Sequence, residues 1–296
     1  MAIPSNIVGS DIGESVVTVT PRMIMAYAAG LGANEECYLD DLRAGGIVAP
    51  PPFCVVLEWP LVSGPRYRQT TCTTDSEGWG SIHVTQDSQF HQPIRPGRTL
   101  VTSGRIVQVR PTSAGAYIAV KLATHDSHSG EAVASSWWAS IALGVAVEGE
   151  ARTLEDAPPL GAGGSGEGTL DWTPIAVARQ LPHVYTECAS IWNPIHTERA
   201  VALSKGLPDI ILHGTATWAL AAQEVVRRCA GGDPTRLRRL GGHFKGAVIP
   251  GTTISIGMRG DGADPCGVQL QVRNARGEPA LTGARAEVSA VHAHAL

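Results

Sequence analysis

The chain has 296 residues, 43% of them hydrophobic and 17% charged, with a formal net charge of −4. That composition fits an ordered globular chain of one large or two ordinary domains and gives no electrostatic reason to expect nucleic acid or an anionic membrane as partner. No run reaches the ~20 apolar residues that span a bilayer.

The opening residues, Met1-Ala2-Ile3-Pro4-Ser5-Asn6, carry neither the basic region nor the apolar stretch of a secretion signal, so a cytoplasmic location is expected. Six cysteines (Cys37, Cys54, Cys72, Cys188, Cys229, Cys266) contain no C-x-x-C pair. The spacing argues against structural zinc, and they are read as reduced, mostly buried thiols. Phosphate-loop, nucleophile-elbow and dinucleotide fingerprints are all missing, so no metal and no cofactor is expected.

In chain order, Pro21 to Leu31 reads as a helix, and Phe53 to Val62 as a second, more apolar one. Ser81 to Phe90, Thr99 to Val109 and Tyr117 to Thr124 have strand composition, followed by Ser135 to Ile141 with tryptophans 137 and 138 on opposite faces. Residues 147–168 turn charged and then rich in glycine and proline, from Ala157-Pro158-Pro159 to Gly168, and read as a linker. The pattern then repeats: a helical stretch from Thr173 to Ala189 interrupted by Pro182, an apolar helix from Thr217 to Arg228, and strands over Thr252–Arg259, Val268–Val272 and Ala284–Val291. Tyr27 and Tyr38 match Tyr185 and His196 at one offset. Further on, Phe90 to Gly97 matches Phe244 to Gly251, and Ile47-Val48-Ala49-Pro50-Pro51 stands where Ile210-Ile211-Leu212-His213-Gly214 stands. Three matches in one order indicate a duplication. The expected units are therefore 1–146, the connection 147–168, and 169–296. One helix followed by several antiparallel strands is an α+β pattern.

Chemistry is concentrated in Ile191-Trp192-Asn193-Pro194-Ile195-His196 and in His213-Gly214-Thr215. Asn-Pro forces a turn, which holds the histidine two residues later on rigid backbone. Imidazole titrates near neutral pH and suits acid–base work, so His196 is the catalytic candidate. Asn193 either fixes water or substrate or caps the turn. Gly214 opens a helix and lets a carbonyl approach unpaired N–H groups at the positive end of its dipole, or else serves close packing. His213 either touches the substrate or satisfies backbone beneath the helix, and Trp192 packs over an acyl chain or fills the core.

Asn-Pro-Ile-His followed by Ile-Leu-His-Gly and a helix resembles the MaoC-like (R)-specific enoyl-thioester hydratases and dehydratases. The resemblance covers about 20–145 and 170–292, with the specific motif in the second half alone. It implies a tandem hotdog, two antiparallel sheets each wrapping a central helix, acting as a pseudo-dimer and leaving a homodimer of the double hotdog open. It also implies a hydro-lyase that adds water to, or removes it from, an acyl-CoA or acyl-carrier-protein thioester. His196, Asn193 and Gly214 are then catalytic, and Trp192, His213, Thr215 and Lys245 contact substrate. The family motif reads Asp-x-Asn-Pro-x-His, whereas Ile191 stands at the aspartate position here. A non-catalytic acyl-thioester binding protein and a hotdog thioesterase remain as alternatives, although no carboxylate is evident near the second helix. The first half has Glu35-Glu36, Tyr38 and Pro50-Pro51 at the motif positions and reads as scaffold and substrate wall. Lys245, Arg95, Arg238 and Arg239 are read as basic groups near the pocket mouth, able to meet phosphates of the thioester carrier.

Overall fold

A computed structural model describes residues 2–71, 80–159, 169–261 and 264–290. The glycine-rich run 161–168, Cys72 and Val291 lie outside the described residues. The first half comprises strands β1 (Ala2–Pro4) and β2 (Asp11–Thr18), then helices α1 (Pro21–Gly30), α2 (Glu36–Leu39), α3 (Cys54–Val62) and α4 (Pro65–Thr70). Strands β3 (Ser81–Phe90), β4 (Thr99–Thr112), β5 (Gly115–Asp126) and β6 (Ala132–Leu143) complete it, with short strands β7 (Ala146–Glu148) and β8 (Arg152–Thr153) after them. The second half repeats the plan. It runs through β9 (Asp171–Ala176), α5 (Leu181–Ala189), α6 (Arg199–Ser204) and α7 (Gly214–Cys229) to β10 (Leu237–Phe244), β11 (Thr253–Asp261), β12 (Asp264–Arg273) and β13 (Pro279–Val288).

Eleven of the described strands form one antiparallel sheet in the order β2-β4-β5-β6-β3-β10-β13-β12-β11-β9, with β8 on the side of β4, while β1 and β7 pair in parallel as a separate sheet. The order of the second half mirrors that of the first, so the duplication is a pseudo-twofold about the β3–β10 seam. At the seam Ser88 pairs with Leu240 and Gln86 with Gly242. Arg239 grips Asp87 there through two bonds, Nε to Oδ1 at 2.9 Å and Nη2 to Oδ2 at 2.6 Å, with both residues buried. Helices α1 and α5 meet across the same axis. Tyr27 and Tyr185 rings lie 5.9 Å apart, and a Cβ on Gly30 would fall 2.6 Å from Cys188 Cβ. Glycine at position 30 therefore sets how closely these helices approach.

Helices α3 and α7 are the two central helices of a double hotdog. Nearly every residue of Cys54–Val62 is apolar, as a helix enclosed on all sides requires, and α7 buries Trp218, Leu220, Val225 and Val226 among others. The predicted start of α7 at Thr217 falls short, because Gly214 is a poor helix former that nonetheless opens the helix.

Two sequence expectations change. Thr173–Ala189 is not one helix: Asp171–Ala176 pairs with β11, and the helix begins at Leu181. Pro182 does not interrupt that helix but sits in its first turn, where a missing N–H costs nothing. The strand Leu237–Phe244 went unrecognised, because two arginines and two glycines hide its alternation. Trp137 and Trp138 are both buried, as predicted for a strand covered on two faces. The outer face is covered by the chain returning after β6: Leu154 N–H donates to Val107 O, and Glu155 pairs with Lys121, whose ammonium lies over the Trp137 ring. Of the five described cysteines only Cys54 is fully buried; the other four are half-buried, fewer buried than expected.

Candidate active site

All seven residues singled out in the sequence (Trp192, Asn193, His196, His213, Gly214, Thr215 and Lys245) line one cavity of about 880 Å³. The segment carrying the motif is bent into place by Ser190, at φ +54° the one non-glycine residue with positive φ among those described. Such a conformation costs about 1–2 kcal/mol for an ordinary side chain. It ends α5, with Ile191 N–H reaching back to Thr186 O, and turns the chain so that Ile191 points inward and is buried. Asn193 then caps the short turn Pro194–His196, its side-chain oxygen accepting from Ile195 N–H at 3.2 Å. The cap is formed through the oxygen alone, which leaves the amide nitrogen of Asn193 outside it.

His196 is 9% exposed, and its Nδ1 lies 2.8 Å from Ile211 O. A carbonyl can only accept, so Nδ1 carries the hydrogen and Nε2 keeps its lone pair. Burial pushes the imidazole down to about 4, against the Ile211 carbonyl, which favours the charged form. Near neutral pH the ring is therefore an uncharged base. His213 stacks on it, centroids 3.7 Å apart and planes at 24°. The His213 Nε2 lies 3.2 Å from both Ile191 O and Thr186 Oγ1, so Nε2 is its protonated nitrogen, while Nδ1 is buried without a partner. Burial, then the neighbouring His196, hold His213 well below the usual histidine range. His213 takes the role beneath the helix, bonding the backbone of Ile191 and stacking under His196, and it also lines the cavity.

Gly214 opens α7, whose first N–H groups have no intrahelical acceptor. Phe244 packs where a side chain would go: a Cβ at 214 would lie 3.2 Å from Phe244 Cδ1. Thr215 also lines the cavity and accepts a hydrogen bond from Tyr185 OH at 3.2 Å. Trp192 is half exposed at the rim, and Lys245 is exposed. The three arginines expected beside Lys245 are elsewhere. Arg239 is buried in its pair with Asp87, Arg95 donates to Gly45 O, and Arg238 lines a separate crevice of about 20 Å³ next to Pro50, Pro51 and Phe90. That crevice is the pseudo-symmetric counterpart of the large cavity, closed by the two prolines that replace His213 and Gly214.

Sequence reasoning read the first half as a substrate wall but named none of the residues that form it. Val55, Glu58, Trp59, His83, Gln86 and Trp138 all line the large cavity. One signal was present, Glu58 as the only charged residue in Cys54–Val62, whereas the inward turn of Gln86 and Ser88 in Ser81–Phe90 shows only in the fold. No group of three or more histidine, cysteine or acidic side chains among the described residues could hold a metal ion.

Comparison with known proteins gives the arrangement its family. Residues 170–274 match the MaoC like domain, and residues 6–136 match the FAS1-like dehydratase domain region. The second half is thus a MaoC-like domain and the first a FAS1-like dehydratase region. A 3-hydroxyacyl-thioester dehydratase Y of Mycobacterium tuberculosis is 23% identical over 259 residues, 86% of this chain and 87% of the relative. A probable enoyl-CoA hydratase 2 of Dictyostelium discoideum is also 23% identical, over 60% of each chain. The crystal structure of a MaoC-like dehydratase from Phytophthora capsici superposes with a TM-score of 0.81 at 19% identity, covering 95% of this chain and 96% of the other. A Mycobacterium tuberculosis protein described as a double hotdog superposes at 0.61. These likenesses show the double-hotdog fold. No described helix is long and apolar enough to cross a membrane.

Proposed function

We propose that this MaoC-like protein is a hydro-lyase that interconverts 2-enoyl and 3-hydroxyacyl thioesters, with His196 as its proton carrier. The observation that carries the reading is the fixed tautomer of His196. Nδ1 is tied to the Ile211 carbonyl, and Nε2 is left as a free base on the cavity wall, within a site that also contains an open helix N-terminus at Gly214. The thioester carbonyl sits against the first N–H groups of α7, which stabilise the enolate oxygen as charge develops. In dehydration, His196 Nε2 takes the α-proton and then returns it to the departing β-hydroxyl, so the proton leaves with water. In hydration the same nitrogen takes a proton from water as oxygen bonds to the β-carbon, and then protonates the α-carbon. One base serving both transfers requires both on the face of the substrate turned to His196. Asn193, with its oxygen occupied by the cap, keeps an amide donor for the water. Lys245 and Trp192 at the rim meet the carrier end of the thioester, CoA or a carrier-protein arm.

The thioesterase reading asks for an available carboxylate, and Glu58 is the one on the cavity wall. Both its oxygens accept hydrogen bonds, from Gln86 and Ser136, and burial raises its pKa, so it is not a free carboxylate facing the cavity. The buried Ile191 favours a second reading, a binding protein descended from a hydratase. Incubation of the wild-type protein with a panel of 2-enoyl-CoA thioesters, followed by mass analysis, separates the three. Hydration yields a product heavier by one water, hydrolysis yields free CoA, and a binding protein leaves the thioester intact. The expected result is hydration. An intact panel, with Ile191→Asp gaining hydration while its melting temperature is retained, would assign the protein as a binding module instead.

A further inference from the structure

The wall of the cavity farthest from the motif is polar, and nothing in the reaction uses it. Glu58 and Gln86 are 3% and 0% exposed, yet both line the cavity. Gln86 Nε2 donates to Glu58 Oε2 at 3.2 Å and to Ser88 Oγ at 2.9 Å; Ser88 Oγ is 2.7 Å from Ser136 Oγ, and Ser136 donates to Glu58 Oε1. Nearby on the same wall, Tyr67 OH lies 3.4 Å from Ser140 Oγ, and His83 Nε2 lies 2.8 Å from Thr85 O. One acceptor of this network lacks a well-formed hydrogen bond: Gln86 Oε1 is buried, with the His83 ring close to the same side chain. A buried acceptor left without a donor costs about 1–3 kcal/mol, and such groups in folded proteins are rare.

The fold does not need these groups. Gln86 and Ser88 precede Phe90 as Leu240 and Gly242 precede Phe244, and Glu58 follows Pro51 as Ala221 follows Gly214. The second half therefore builds the same sheet and helix with apolar residues or glycine at these positions. Only the half that lost its catalytic motif has the polar set, on the wall of the cavity that the other half's motif shares. One ring links the two ends: Phe244 packs against Gly214 and has its centroid 4.7 Å from that of His83, which in turn stacks on Trp138 at 5.0 Å.

We infer that the acyl group of the substrate carries an uncharged hydroxyl beyond its reacting carbons, which donates to Gln86 Oε1 and is held beside Glu58. A donor is required because the unpaired atom is an acceptor, and a ketone or ether at this point would leave Gln86 Oε1 unsatisfied. A carboxylate is excluded for the same reason: it offers no hydrogen and would be buried next to Glu58. Burial disfavours charge on Glu58 and holds His83 down to about 4, so the surroundings match a neutral group.

This inference rests on the acyl-thioester reading, and the test separates the two. Dissociation constants are measured by calorimetry for pairs of saturated acyl-CoA thioesters, which cannot be hydrated, alike in length but differing by a hydroxyl placed at successive carbons from the fifth outward. At one position the hydroxylated member should bind the wild-type protein about 10-fold more tightly than its alkyl twin, the worth of roughly one hydrogen bond to a buried group. Gln86→Leu, which installs the second half's residue, should bring the ratio to one or below by tightening the alkyl compound. Gln86→Met provides the same comparison should leucine lower the melting temperature. Alkyl thioesters that bind as well as or better than every hydroxylated partner on wild type would overturn the inference and leave the hydro-lyase reading standing. Lack of binding by any member of either series would overturn both.

Discussion

His196→Ala should reduce hydration of a 2-enoyl-CoA by about 10⁴-fold, the upper end of the 10²–10⁴ range for a single general acid–base, because one nitrogen carries both transfers. The loss should fall on kcat, with thioester affinity changed little, since the helix N-terminus and the cavity wall remain. His196→Asn is the stringent companion. Its amide nitrogen falls where Nδ1 stands and can keep the hydrogen bond to the Ile211 carbonyl, but it supplies no base. Equal loss in the two variants, with melting temperatures near wild type, would separate proton transfer from structural support. Retention of activity in either would place the base elsewhere. The buried stack of His196 on His213 makes one further point. With ring centroids 3.7 Å apart, two imidazolium charges repel strongly, so the pair works with at most one proton added at a time.

Gly214→Val is the second large effect, with turnover expected to fall about 10²–10³-fold, as when an oxyanion donor is lost. The reason is spatial. A Cβ at 214 would meet Phe244 Cδ1 at 3.2 Å, so a branched side chain must displace that ring or project into the space where the thioester carbonyl approaches α7. Gly214→Ala should give a smaller loss, because a shift of a few tenths of an ångström in Phe244 accommodates one methyl group. Both variants should retain the His196 tautomer, and so the shape of the pH profile, while kcat drops. A valine variant with unchanged stability and kinetics would show that the carbonyl binds away from this helix.

Much of this was legible before any coordinates. The paired matches from Tyr27–Tyr185 to Phe90–Phe244 announce two copies of one unit, and in the fold they fall on equivalent elements about the β3–β10 seam. Asn-Pro-x-His and His-Gly are local signals whose meaning lies in backbone geometry, a turn and a helix start, so the seven residues singled out in the sequence all fall on the cavity. What it could not give depends on tertiary neighbours. Arg238 and Arg239 are adjacent in sequence, yet one is exposed and the other locked on Asp87 from the other half. The inward placement of Glu58 and Gln86 follows from the pleat and from the enclosure of α3, which no local pattern encodes. Likewise, burial of the ring carries His196 below the usual histidine range, a shift that the Ile211 carbonyl opposes without cancelling.

That shift leads to the measurement that bears most directly on a hydro-lyase with a single uncharged imidazole: the pH dependence of kcat/KM for hydration of an enoyl-CoA by the wild-type protein. The active form has His196 neutral, so the rate should rise through about 4 and stay level through neutrality, with no descending limb until well into the alkaline range. Melting must be followed alongside. His83, His196 and His213 are all held below their usual 6.5, so the unfolded chain binds more protons, and stability is lost as pH falls from about 6.5 towards 4. A single ascending limb that survives correction for the folded fraction is the predicted result. A bell with a second limb near neutrality would reveal another acid–base group and contradict the account.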